Sequence, residues 1–358
     1  MGSKLKCGAA IIAAGVLLGS FGFNGQLVNA DASKMKVNEV AQKSAVAEVT
    51  LKWNGRVLPH KAMLDHGAAF VPATAIRDVM GIPLKYDAKS RTYTFGKGYN
   101  KLQATVYADN EVGLTVNGYY VGESGGQVVN GRLYIPYQIL NEYMGVQGQW
   151  NPSQKTLSMT SKKQNPITIE SDTLKKQVLN VEAVVNYPVI SGFENKEAQT
   201  AINNVLRKNA EDMIAEAQEI LSEQPAFGYH SPYVYVGDFV IHYNAKDILS
   251  LTTYRYTYTG GAHGMTYRKS FTFSLKDGKQ LKLDDFINTQ GKSKQKLNDY
   301  VLNQLQKNEG YLGGFESVPA DADFFLKDNA AVLYFQLYEY TAYAFGFPQI
   351  ELSLKQWK

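Results

Sequence analysis

The residues best placed to do chemistry at a surface are Gly260-Gly261-Ala262-His263-Gly264, between two strand-like runs. Glycines permit positive φ and let a partner approach the backbone closely, so this turn would present His263 at a loop tip as a donor or acceptor. A turn whose histidine bonds only to its own backbone has the same sequence. Tyr254, Tyr256 and Tyr258 alternate just ahead of it and must share one face of a strand; Tyr233, Tyr235 and Tyr243 alternate on the run before. Such rings form either an aromatic platform for a sugar or protein, or cross-strand pairs packed beneath a helix. The run Tyr338-Glu339-Tyr340-Thr341-Ala342-Tyr343 adds an acid, Glu339, as a partner for loop amides or for His263. Acid–base catalysis would need a second placed carboxylate, which no motif supplies.

The remaining histidines, His60, His66, His230 and His242, show neither H-E-x-x-H nor a His-x-His pair, so no metal and no cofactor is expected. Asp284-Asp285-Phe286 lacks the histidines that metal-dependent deacetylation requires, and no G-x-S-x-G elbow is present. The candidate ligand contacts are therefore Tyr256, Tyr258, Gly260, Gly261, His263, Gly264, Glu339 and Tyr343, with no catalytic residue assigned.

The elements that must hold these residues are legible in outline. Residues 196–222 repeat apolar side chains at helical spacing (Ile202, Val205, Leu206, Met213, Ala217, Leu221), with Gln224-Pro225 and Gly228 as the stop. Strands are expected over 176–187, 233–243, 248–258, 265–275, 331–338 and 349–354, and a second helix over 292–307. Upstream, two copies of one unit recur. Val49–Gly55 parallels Val112–Gly118, Phe70-Val71-Pro72 parallels Tyr134-Ile135-Pro136, and Met80-Gly81 parallels Met144-Gly145. Tyr86-Asp87 likewise parallels Trp150-Asn151. Each copy reads as a hairpin, a short helix (73–80 and 137–144) and a second hairpin. One copy is too small to bury a core, so the two are expected to pack together. The expected fold is α+β: a β-rich tandem-repeat module with short helices, then an antiparallel sheet packed by two helices.

The start of the chain reads as an export signal. Lys4 and Lys6 precede an apolar run from Ala9 to about Phe23, and Ala30-Asp31-Ala32 offers cleavage after Ala30 or Ala32. No membrane span is expected after cleavage. Cys7, the only cysteine among 358 residues, leaves with the signal, which excludes disulfides and thiol chemistry. The formal charge of +4 falls to about +3 without residues 1–32, too weak a bias for nucleic acid. Tyrosine, at 24 against 16 Phe and 3 Trp, is abundant, which suits a contact surface. The expected segments are a signal peptide (1–32), a linker (33–48), the repeat module (49–160), a second linker (161–170) and an α+β domain (171–358).

The repeat resembles the copper amine oxidase N-terminal-like domain, a stalk or wall-associated module of secreted Gram-positive proteins. The carriers are the V-x-x-N-G strand, the Phe/Tyr-Val/Ile-Pro helix entry and the Met-Gly followed by Tyr/Trp-Asp/Asn. The resemblance implies no copper here, because only His60 and His66 are on offer. Residues 170–356 resemble the paired DUF4163 and DUF3298 domains of secreted Bacillus-type proteins, found in lysozyme-sensing anti-sigma factors and in peptidoglycan deacetylases. The carriers are Ala201-Ile202-Asn203-Asn204, Tyr256–Gly264, Gly278…Leu281-x-Leu283-x-Asp285-Phe286 and Tyr338–Gly346. Ala342 stands where that family usually has proline. Unlike the sensor proteins, the chain shows no span leading to a cytoplasmic sigma-binding segment. These resemblances imply a secreted, wall-associated binding protein that meets a lysozyme-like protein or peptidoglycan through its C-terminal half. The alternative is a cell-wall hydrolase or deacetylase-like enzyme using His263 and nearby carboxylates.

Overall fold

Asn-Gly pairs set the first hairpins. Asn54-Gly55 and Asn117-Gly118 both take positive φ (48° and 81°, 50° and 82°), the geometry a two-residue turn needs to match strand twist. The computed structural model describes residues 47–121, 125–223 and 233–357. The expected signal peptide, most of the first linker, His230 and the helix stop at 224–228 lie outside the described residues.

The first copy comprises β1 (Ala47–Trp53), β2 (Arg56–Asp65), β3 (Ala68–Pro72), α1 (Ala73–Asp78), β4 (Leu84–Asp87), β5 (Thr92–Lys97) and β6 (Asn100–Val106). The second comprises β7 (Val112–Val116), β8 (Tyr119–Tyr120), β9 (Gln127–Val129), β10 (Arg132–Pro136), α2 (Tyr137–Tyr143), β11 (Val146–Asn151) and β12 (Thr156–Ser161). The copies do not merely touch; they share sheets. A seven-stranded sheet runs β11-β12-β1-β2-β3-β10-β9 and a five-stranded one runs β4-β5-β6-β7-β8. The first strand pairs in parallel with the last, Leu51 opposite Leu157, and β3 meets β10 with Val71 opposite Ile135. Leu51, Ile76, Phe95, Leu102, Leu114, Ile135, Leu140 and Leu157 are fully enclosed in one joint core, as two units too small to bury cores alone require.

The second half continues with β13 (Thr168–Val178), β14 (Val181–Ser191), α3 (Lys196–Ser222), β15 (Val234–Ala245), β16 (Ile248–Tyr258), β17 (Met265–Ser274), α4 (Gly291–Gln306), β18 (Phe324–Lys327), β19 (Ala330–Tyr334) and β20 (Gln349–Ser353). The strand expected over 176–187 straddles a turn, with Leu179 at φ 51°. Asn195 caps α3 by accepting from the Ala198 amide at 3.0 Å. This helix crosses between β14 and β15, which pair in parallel at Val184–Val236 and Val185–Gly237. A Cβ on Gly237 would press on Val185 and Met213, so glycine lets helix and strands close together. The five-stranded sheet β13-β14-β15-β16-β17 thus carries α3 on one face. The α+β class holds, but the two expected helices serve two sheets: α4 packs its Leu297, Val301 and Leu305 on the separate sheet β18-β19-β20. The strand expected over 331–338 leaves the ladder after Tyr334, where the chain turns into the candidate site.

The second face of the central sheet receives both the repeat module and β18. Tyr254 and Val240 join the module's core, and the Tyr254 hydroxyl donates to the Asn117 carbonyl at 2.7 Å. Asn117 Nδ2 in turn donates to the Phe239 carbonyl at 2.8 Å. Lys327 bridges to Glu142 and Lys162 to Asp328, each at 2.8 Å. Within 161–170, Asn165 is buried; its Nδ2 donates to Asn244 Oδ1 and to the Ile248 carbonyl, and its Oδ1 accepts from the Asp247 amide. Buried polar groups at the junction are thus answered by partners, which specifies one seating of module on sheet.

Candidate functional site

The turn after β16 is built as its glycines suggested. Gly260 and Gly261 hold φ of 93° and 97°, and Tyr258 donates its hydroxyl to the Gly261 carbonyl at 3.1 Å. Thr259, Gly261 and Ala262 are exposed, His263 is half-buried and Gly264 is buried. Gly264 is required on different grounds: a Cβ there would overlap the ring of Tyr256. Tyr254, however, turns away from α3. Even-numbered residues of β16 face the repeat module and β18, so packing beneath the helix falls to Tyr235, which joins the α3 cluster and donates to Glu216, and not to the Tyr254 row. The helix side is taken by Leu249, Leu251 and Thr253. Alternation from one face to the other is the cause; only which face meets the helix was open in the sequence.

His263 meets Gly264 and Tyr343 among the candidates. Its ring stacks on Tyr343 with centroids 3.8 Å apart and 17° between planes. Its Nδ1 lies 3.0 Å from the Gly264 carbonyl, and its Nε2 lies 3.3 Å from the Tyr338 hydroxyl. A carbonyl can only accept, so Nδ1 carries the proton of the neutral ring and Nε2 accepts from Tyr338. The same carbonyl accepts from the Tyr343 hydroxyl at 2.9 Å, which locks the two rings in register. Tyr338 and Tyr343 lie 5.5 Å apart. Partial burial raises the Tyr256 and Tyr343 phenols above their ordinary value, so both stay neutral at physiological pH.

Tyr338 is the member that the residue pattern alone did not single out. It sits at φ 66°, a strained position for a bulky side chain, and it is 50% exposed. Its turn is held from both ends: Glu339 Oε2 accepts from the Gln336 amide at 2.8 Å, and Gln336 pairs its side-chain amide with both backbone groups of Arg268 in β17. Glu339 is therefore an exposed carboxylate used on its own turn, not a buried acid and not a partner of His263. The neighbouring stretch also exposes Phe345 and Leu312. An indentation lined by Asp284, Gln290, Lys294 and Pro319 belongs to the start of α4 and includes none of these residues.

The arrangement offers flat, hydrogen-bonded ring faces on a rigid sheet end, suited to stacking and contact. The other histidines are elsewhere. His66 pairs with Asp65, His60 lies in β2, and His242 stacks on Phe325 at 3.9 Å with Nε2 on Thr252. Among the described residues no group of three or more His, Cys, Asp or Glu side chains is placed to hold a metal ion. No helix among them is long and apolar enough to cross a membrane.

Comparison with known proteins matches three stretches of the chain. Residues 52–159 match the family model of the copper amine oxidase N-terminal domain, residues 174–266 that of deacetylase PdaC, and residues 284–355 that of a protein of unknown function, DUF3298. A curated relative, the peptidoglycan-N-acetylmuramic acid deacetylase PdaC of Bacillus subtilis, is 24% identical over 193 residues. That match takes in 52% of this chain but only 40% of the relative. Two solved structures are similar. A DUF3298 family member from Bacteroides fragilis is 18% identical, with 55% of this chain and 93% of that one covered and a TM-score of 0.42. A DUF3298 family protein from Pseudomonas aeruginosa is 15% identical, with 54% and 93% covered and a TM-score of 0.38.

Proposed function

We propose that this chain is an exported cell-envelope binding protein that recognises a lysozyme-like protein or a peptidoglycan strand, with the repeat module as its wall-targeting or stalk element. The observation that carries the reading is the platform of Tyr338, Tyr343 and His263. Large rings stand at the surface in fixed orientations, two of them anchored to one buried carbonyl. Rigid aromatic side chains give contact area at little entropic cost, and such residues dominate binding energetics. The connection to the wall is supported by the resemblance to a relative whose name places it on peptidoglycan. Export is supported by the Lys4–Ala32 pattern. A hydrolase built on His263 needs a carboxylate to orient or discharge the imidazole; both ring nitrogens here face a carbonyl and a phenol instead.

The test is retention of the chain from residue 33 onward on immobilised lysozyme and on purified peptidoglycan. Retention on one of the two is expected, with a loss of at least about tenfold in affinity for Tyr338→Ala and for His263→Ala, as for truncation of an interface anchor. Binding that survives both substitutions, or hydrolysis of wall fragments without retention, overturns the reading.

A further inference from the structure

We infer that Tyr119, in the repeat module, is a positioning residue for the aromatic platform and acts on it through Arg268; the inference rests on reading that platform as the contact surface. Arg268 lies in β17, four residues beyond Gly264, and is buried. It belongs to no ion pair among the described residues. Its guanidinium is instead boxed by rings: Phe347 at 3.9 Å, Tyr119 at 4.7 Å and Tyr334 at 5.9 Å. A planar, weakly hydrated cation is suited to such a box, since aromatic faces return part of the attraction that water no longer supplies. Burial brings its pKa down only to about 10, so it stays charged.

Three parts of the chain meet in this one side chain: β8 of the repeat module, the last strands, and the central sheet. The backbone of the same residue is what the platform hangs on. Arg268 N–H donates to Gln336 Oε1 at 3.2 Å and its carbonyl accepts from Gln336 Nε2 at 2.8 Å. Gln336 opens the turn whose apex is Tyr338, and Tyr338 reaches back to His263. A missing Tyr119 ring leaves one side of the cation bare, and the guanidinium must move toward water or admit it. The strand position that fixes Gln336 then loses its restraint. The repeat module in this arrangement helps to shape the contact surface as well as to carry it.

The experiment compares amide hydrogen exchange in the whole exported chain with that of Tyr119→Leu, Tyr119→Phe and Tyr254→Phe. Tyr119→Leu is expected to speed exchange at Arg268 and Gln336 by at least about fivefold, since the Arg268 amide donates to the Gln336 side chain and the Gln336 amide donates to Glu339 within the turn that this side chain fixes. Tyr119→Phe keeps the ring and stays within about twofold of the parent chain. Tyr254→Phe breaks the neighbouring junction bond to Asn117 but leaves the box intact, so it should not change exchange at Gln336. Unchanged exchange at Gln336 in Tyr119→Leu, or an equal rise in Tyr254→Phe, overturns the inference. The same variants are then passed over lysozyme and peptidoglycan. A parent chain retained by neither removes the binding reading, while the exchange rates still decide whether Tyr119 positions the turn.

Discussion

The two faces of the central sheet are made by the same strands, yet they are different kinds of surface. Toward α3 it presents Phe239, Leu249, Leu251, Phe271 and Phe273, which meet Ile202 and Leu206 in an apolar cluster. Toward the repeat module and β18 it presents Asp238, His242, Ser250, Thr252, Tyr254, Arg268 and Thr272. Each of these is half-buried or buried, and most bond to a partner distant in sequence. An apolar face accepts any helix of the right shape. A polar face that is buried accepts only the partner whose groups complete its own. The first makes the domain fold; the second fixes what is seated on it.

Cutting into the apolar face should have the largest effect. Phe273→Ala is expected to lower unfolding stability by about 3–5 kcal/mol, read as a shift of the urea midpoint at unchanged slope. A loss below about 1 kcal/mol would mean that this face is loosely packed and the contrast is false. On the opposite face, Tyr254→Phe keeps the ring and removes one buried hydroxyl, leaving the Asn117 carbonyl short of its donor. The expected loss is about 1–2 kcal/mol. Both halves should respond together in that unfolding curve, and separation into two transitions would show that the junction is weak.

The polar face should also respond to pH, in two opposing senses. Burial pushes the Asp238 carboxyl from 3.8 up to about 7, although Asn186, the Phe239 amide and Lys101 favour its charged form. A raised acid contributes stability that is complete below its unfolded value and is lost as pH rises through about 7. Burial, with Lys327 nearby, takes His242 from 6.5 down to about 3. Its contribution is complete above 6.5 and is lost as pH falls toward 3. Asp238→Asn should therefore remove the falling contribution between about pH 4 and about pH 7, so that stability climbs more steeply with pH there than in the parent, seen in urea midpoints across that range. A variant with the same pH profile as the parent would place water at Asp238. The smallest effect belongs to the rim of the junction. Lys162 and Asp328 are partly exposed, and Lys162→Ala should cost at most about 1 kcal/mol, lessening further with added salt.

The same contrast explains what could be read from residue order. The helix over 196–222 and the Asn-Gly turns at 54–55 and 117–118 follow from local spacing and dihedral preference, and the structure has them at those positions. The turn at 260–264 was also visible, because glycine runs have few other uses. The seating of Asn117 on Phe239 was not, since it joins residues 122 apart through a side-chain amide that looks like an ordinary turn residue. Tyr338 was hidden for another reason. Its positive φ is imposed by Gln336 and Glu339 holding the turn, and nothing about a tyrosine announces that conformation. Arg268 looked like one polar residue in an alternating strand; only the rings from three separate segments give it a role.

The parallel pairing of β1 with β12 has a mechanical consequence. Thr50 to Trp53 lie beside Thr156 to Met159, so the repeat module is entered and left along one shared ladder. Tension drawn between residues 47 and 161 pulls these strands lengthwise past each other. The rungs, Thr50 N–H to the Lys155 carbonyl and Asn54 N–H to the Met159 carbonyl among them, then bear the load simultaneously and not one after another. A module closed in this way resists stretching between its two ends.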